Sequence, residues 1–164
     1  MSAEILIVDD NADIRNIINE LIIDAGYKTR IPANYNQALS EMDKKLPDVA
    51  ILDVKLDRGD NDSNELLSHI KKKNKDVPVS IISGQANIEM AIKCLHYGAF
   101  EFIEKPFNQE RLLNFVSRAV ENFNLKKVYL QYFFQVCCPF HIIRTHRPEL
   151  EVCQRMTVAN MHRN

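Results

Sequence analysis

The sequence predicts an α/β fold: a doubly wound, five-stranded parallel sheet with a C-terminal tail. Apolar runs of strand length alternate with segments of helical period, and the alternation occurs five times. The runs Ile5-Leu6-Ile7-Val8, Val49-Ala50-Ile51-Leu52 and Val77 to Ser83 are also near-continuous in Val, Ile and Leu. A strand with one wet face alternates apolar and polar residues, so continuous runs mean that helices cover both faces of the sheet. A chain of 164 residues has length for one ordinary core rather than two.

The elements follow in order. After the first run, Ile14, Ile17, Ile18, Leu21, Ile22 and Ala25 fall at i, i+3, i+4, i+7, i+8 and i+11, the stripe of an amphipathic helix. Gly26 suits the left-handed residue that ends a helix, and Tyr27 to Ile31 reads as a short second strand. Tyr35, Ala38, Leu39 and Met42 mark a second helix before the third strand, Val49 to Leu52. Leu66, Leu67 and Ile70 mark a third helix, which runs into a solvated Lys71-Lys72-Lys73. Val77 to Ser83 is the fourth strand, Ile88 to Leu95 a fourth helix closed by Gly98, and Phe100 to Ile103 the fifth strand. Leu112, Leu113, Val116, Val120 and Phe123 carry the fifth helix.

Charge is unevenly spread. Residues up to Asn124 hold 15 basic and 20 acidic side chains, and those beyond it 6 and 2, so an acidic body precedes a basic tail. The asymmetry is too small to imply nucleic-acid binding. The start, Met1-Ser2-Ala3-Glu4, has no basic region before its short apolar run, so no secretory signal is predicted and the expected location is cytoplasmic. Tyr129 to Ile143 is the most apolar stretch, but it contains Gln131, Gln135, Pro139 and His141 and is shorter than the roughly 20 residues that cross a bilayer. No membrane contact is expected. Cys94 stands alone and Cys137, Cys138 and Cys153 form no disulfide framework, so reduced thiols are predicted.

In doubly wound sheets, ligands bind beyond the carboxyl ends of the strands where strand order reverses. There the first strand ends in Asp9-Asp10, the third in Asp53 and the fourth in Ser83, and the fifth is followed by Lys105-Pro106. Converging carboxylates repel unless a cation intervenes. Mg²⁺ suits them, because it takes one or two carboxylates, keeps waters and leaves room for phosphate oxygens. A nearby lysine supplies a point charge and a small hydroxyl supplies one hydrogen bond to a transferred phosphoryl group. Each residue has a plainer reading: Asp9-Asp10 as a helix cap, Asp53 as a turn, Ser83 as a cap, Lys105-Pro106 as a solvated strand end. Their joint order on successive strand ends favours phosphoryl transfer.

These residues carry a resemblance. Ile-Leu-Ile-Val-Asp-Asp, Asp48-Val-Ala-Ile-Leu-Asp53, Ile-Ser-Gly and Phe-Ile-Glu-Lys-Pro-Phe resemble the receiver domains of two-component response regulators over residues 4–122. The stretch from Ser83 through Ala91-Ile-Lys, with Tyr97 to Phe107 and the loop Leu56 to Asp62, is similar to the NtrC family and, within it, the NtrX branch. The resemblance implies a flavodoxin-like sheet of strand order 2-1-3-4-5. It implies Mg²⁺ held by Asp9, Asp10, Asp53 and the backbone carbonyl of Lys55. It further implies that Asp53 takes a phosphoryl group from a sensor histidine kinase, NtrY-like for this branch, and that Ser83 and Lys105 contact the acyl phosphate. A cis Lys105-Pro106 bond belongs to the same expectation. Asp57 and Ser63 stand where many receivers have Pro and Gly, which makes the loop less rigid but removes no ligand side chain.

The switch expected of the family pairs Ser83 with Phe102, the aromatic three residues before the lysine. A packed core role for Phe102 is the competing reading. The output surface is then the face of the fourth helix, fifth strand and fifth helix, with homodimerisation on that face. No enzyme activity beyond the domain's own phosphorylation and dephosphorylation is expected.

NtrX-type proteins continue into an ATPase and a DNA-binding domain. Neither is legible here: no Gly-x-x-x-x-Gly-Lys-[Ser/Thr] occurs and no recognition helix is identifiable. Residues 123–136 read as a helical linker and 137–164 as an irregular basic tail, a truncated or frameshifted end. Cys137, Cys138, His141, His146 and Cys153 have spacing too ragged for a zinc site. Rival functions fare worse. The calcium-loop start at Asp60 has Glu65 where Gly is needed and Lys71 where Glu is needed. An aspartyl-phosphate hydrolase of the haloacid-dehalogenase type lacks its second aspartate, because Lys55 stands there. Flavin binding needs a phosphate-cradling loop where Asp9-Asp10 lies. An inert remnant, or a stand-alone receiver acting by protein contact, is the alternative function.

Overall fold

The computed structural model describes residues 3–54, 56, 62–84 and 88–137, those at 62 and 133–137 by backbone alone. Lys55, most of the loop after Asp53, and the tail from residue 138, including Cys138, His141, His146 and Cys153, therefore lie outside the described residues. The chain divides into Met1–Lys127 and Val128–Asn164. The sheet belongs to the first unit, and the described part of the second is helix.

Strands and helices alternate as β1 (Glu4–Val8), α1 (Ala12–Asp24), β2 (Lys28–Arg30), α2 (Tyr35–Lys44), β3 (Val49–Asp53), α3 (Asp62–Lys73), β4 (Val79–Ser83), α4 (Ile88–His96), β5 (Glu101–Glu104) and α5 (Gln109–Cys137). All pairings are parallel, as the sequence predicts, and the order β2-β1-β3-β4-β5 is the one that the resemblance implies. The chain reverses its direction of travel across the sheet after β2, so the crevice of a doubly wound sheet opens at the carboxyl ends of β1 and β3.

Side chains on successive strand positions point to opposite faces, and both faces are apolar. Leu6, Val8, Ala50, Leu52, Val79 and Ile81 pack with Ala38 and Met42 of α2, Leu66, Leu67 and Ile70 of α3, and Cys94 of α4. On the other face Ile5, Ile7, Val49, Ile51, Ile82 and Ile103 pack with Ile18 and Ile22 of α1 and Leu112, Phe115, Val116 and Ala119 of α5. Each fully buried Leu, Ile or Phe contributes about 1.5–3 kcal/mol relative to exposure. The double burial accounts for the near-continuous apolar strands.

The helix ends follow local chemistry. Asn11 caps α1, its Oδ1 accepting from Asp13 N (2.9 Å) and Ile14 N (3.3 Å). Gly26 and Gly98, at φ +87° and +90°, occupy the left-handed conformation expected after α1 and α4. Some details differ from expectation: β4 begins at Val79 rather than Val77, and β5 runs one residue later than Phe100 to Ile103. β2 is shorter than Tyr27 to Ile31, since it is an edge strand paired to β1 alone. Ile17 is 51% exposed, because Ile18 and Ile22 fill the centre of the arc that α1 turns to the sheet. In α4, Ile88 is 80% and Ile92 and Leu95 each 50% exposed while Cys94 is buried. That helix covers the sheet margin beside β5 and turns much of its apolar surface outward.

Candidate functional site

Register brings the site together. Val8 pairs with Leu52, Asp53 with Ile82 and Ser83 with Glu104, so Asp9, Asp53, Ser83 and Lys105 all emerge at one edge. The Lys105 N–H donates to the Ser83 carbonyl (2.7 Å), locking the residue after β5 to the end of β4. The Lys105–Pro106 peptide is cis, as the resemblance implies.

Carboxylate oxygens of Asp9, Asp10 and Asp53 lie within 4.8 Å of one another. Asp9 and Asp53 are buried and Asp10 is exposed. The Lys105 ammonium bridges the buried pair, 2.8 Å from Asp9 Oδ2 and 3.1 Å from Asp53 Oδ1. Burial pushes the Asp53 carboxyl up to about 6; Lys105 opposes the shift, and Asp9 and Asp10 add to it. Burial also disfavours the Lys105 ammonium, but its bonds to Asp9 and Asp53 outweigh this and hold its pKa above the ordinary lysine value. Among the described residues Lys105 is paired with two of the three carboxylates, Asp9 and Asp53, which leaves negative charge uncompensated. The donors are hard oxygens, two buried and one open to water, which fits Mg²⁺.

Asp9 is held at every oxygen: Oδ1 accepts from Asn11 N (2.9 Å), Oδ2 from Lys105, and the backbone carbonyl from Arg15 Nη1 (2.6 Å). Neither Asn11 nor Arg15 emerges from the sequence as a site residue. Asn11 had a signal in its position just before a helical stripe. Arg15 had none, since only the fold brings it back onto Asp9. Ser83 is buried at the edge. Phe102 is partly buried, packed on the face that carries α2, α3 and α4, and its carbonyl accepts from Arg111 Nη2 (3.4 Å). Lys55 lies outside the described residues.

The sequence profile described as "Response regulator receiver domain" matches residues 5–117. The chain belongs to the response regulator receiver family. Among curated proteins this receiver is 40% identical over 127 residues to the nitrogen assimilation regulatory protein NtrX of Azorhizobium caulinodans, covering 77% of this chain and 28% of that protein. It is 41% identical over 124 residues to an NtrX-like response regulator of Rickettsia bellii, covering 76% and 26%. Among solved structures, NtrX from Brucella abortus superposes with a TM-score of 0.73 at 38% identity, covering 80% of this chain and 30% of that one. The receiver domain of the same protein gives 0.66 at 39% identity, covering 71% and 98%. The chain thus spans about a quarter of the length of these curated relatives. It is an NtrX-like receiver of a two-component system, with the acidic triad typical of receiver Mg²⁺ sites. Among the described residues no helix is long and apolar enough to cross a membrane.

Proposed function

We propose that this receiver, in the cytoplasm, accepts a phosphoryl group on Asp53 from a sensor histidine kinase, NtrY-like by its resemblance, and answers by changing its α4-β5-α5 face. The observation that carries this reading is the Lys105 ammonium bridging buried Asp9 and Asp53, a cation placed where phosphoryl oxygens arrive. Asp9, Asp10, Asp53 and, as the resemblance implies, the Lys55 carbonyl would hold Mg²⁺, which would supply the charge neutralisation that lets anionic phosphate approach carboxylates.

The chain's own residues do the rest. The ionised Asp53 carboxylate attacks phosphorus, the P–O bond forms as the donor's P–N bond breaks, and that bond's electron pair stays on the imidazole, which leaves neutral with the proton its other ring nitrogen already carries. Lys105 passes from Asp53 to a phosphoryl oxygen, and the Ser83 hydroxyl donates to another. Phe102 follows Ser83 and alters the packing beneath α4. Phosphate biases such a two-state equilibrium only by its differential interaction with the two states. The exposed Ile88, Ile92 and Leu95 of α4 support a second copy as the partner of that face. A monomer in sedimentation, with and without an acyl-phosphate mimic at high concentration, rejects this partner.

The test of the reaction is intact mass after incubation with Mg²⁺ and acetyl phosphate, beside Asp53→Ala. A labile phosphoryl adduct that is absent in Asp53→Ala and abolished by chelation is expected. No adduct on folded protein leaves an inert receiver as the better account.

A further inference from the structure

We infer that Arg15 is a positioning residue for the acidic cluster, its guanidinium setting the backbone turn at Asp9 and, through it, the aim of the carboxylates. The inference rests on the reading that Asp9, Asp10 and Asp53 hold a divalent cation.

Arg15 is the fourth residue of α1, and its own N–H closes a helical bond on the Asn11 carbonyl (3.0 Å). Side chains on a helix tilt toward its N-terminus, so an arginine here reaches back past the cap. Its Nη1 donates to the Asp9 carbonyl at 2.6 Å. That carbonyl belongs to the peptide joining Asp9 to Asp10, so one guanidinium bond restrains both residues of the pair.

The rest of the side chain is not deployed as a surface charge. Among the described residues the bond to Asp9 is its polar side-chain contact, and Nε is buried without a partner. Leaving a buried N–H unsatisfied is costly, and the contact secured at that cost is with Asp9. The bond that Arg15 makes is to the backbone of Asp9 and not to a carboxylate, so its contact with the cluster runs through the turn. Groups that orient ligands from behind contribute about 10–100-fold to metal affinity.

The experiment uses the whole chain with Mn²⁺ as probe, free ion being counted by electron paramagnetic resonance and folding checked by circular dichroism. Arg15→Ala is expected to bind Mn²⁺ about tenfold more weakly, and Arg15→Lys, which keeps a charged donor, to recover part of the loss. Labelling by acetyl phosphate is expected to need about tenfold more Mg²⁺ for half-saturation in Arg15→Ala but to reach the wild-type rate once saturated. Folded Arg15→Ala with wild-type Mn²⁺ affinity overturns the inference. So does a rate defect that persists at saturating Mg²⁺, which makes Arg15 a residue of the transfer itself. If Arg15→Ala does not fold, Arg15→Gln is held to the same outcomes. A wild-type chain that binds no Mn²⁺ defeats the cation reading and this inference with it, a result distinct from failure in the variant alone.

Discussion

Asp53→Asn should stabilise this protein in the absence of divalent cations. The folded carboxyl titrates near 6 against an ordinary value of 3.8, chiefly because it is buried. Between those values the native state retains a proton that the unfolded chain has released, so stability falls as pH rises through the window. A shift of about two units at 1.36 kcal/mol each means that ionised Asp53 costs about 3 kcal/mol above pH 6. Asparagine keeps the shape of the neutral carboxyl and removes that cost. Urea unfolding in excess EDTA is the assay, at pH 7.5 and pH 4. At the higher pH the variant should gain about 1–3 kcal/mol; the opposing pull of Lys105 is already contained in the net shift, and an amide that fits less well than the neutral carboxyl sets the lower end. Toward pH 4 the gain should vanish. Mg²⁺ at ten times its dissociation constant should then restore about 1.4 kcal/mol to the wild type and little to the variant. A variant no more stable than wild type at pH 7.5, or a gain independent of pH, refutes the reasoning.

Lys105→Met removes the cation that bridges Asp9 and Asp53; Mn²⁺ binding should tighten while acetyl-phosphate labelling falls on the order of a hundredfold, and unchanged labelling rejects the assigned role. Asn11→Ala loses the α1 cap and the side-chain bonds to Asp13 N and Ile14 N, so urea midpoints should report about 1 kcal/mol of lost stability. Phe115→Ala empties a fully buried site whose ring centroid lies 6.0 Å from that of Phe100. A loss of about 3–5 kcal/mol is expected in thermal unfolding, and a loss below 1 kcal/mol means that the core there is not packed as described.

Local chemistry alone determined much of this protein. The continuous runs at Ile5 to Val8 and Val49 to Leu52 declared a sheet covered on both faces, because only double burial favours strands without polar alternation. Gly26 and Gly98 marked helix ends through the positive φ they adopt. Asp9, Asp10, Asp53, Ser83 and Lys105 were legible as a set, since in a parallel sheet every strand delivers its carboxyl end to the same edge.

Tertiary structure decided what depends on distance across the chain. That Lys105 reaches Asp9 and Asp53 depends on the register of β5 against β4, which pairs Ser83 with Glu104. Exposure along α1 and α4 was equally hidden: Ile17 and Ile92 share the helical period of the buried residues but sit at the margins of the covered arc. A stripe read from sequence has no measure of how wide a surface lies opposite it. Arg15 is the clearest case. In sequence it is one basic residue in an amphipathic helix, and it becomes part of the site only because α1 starts two residues after Asp10, close enough for its side chain to return to the Asp9 carbonyl.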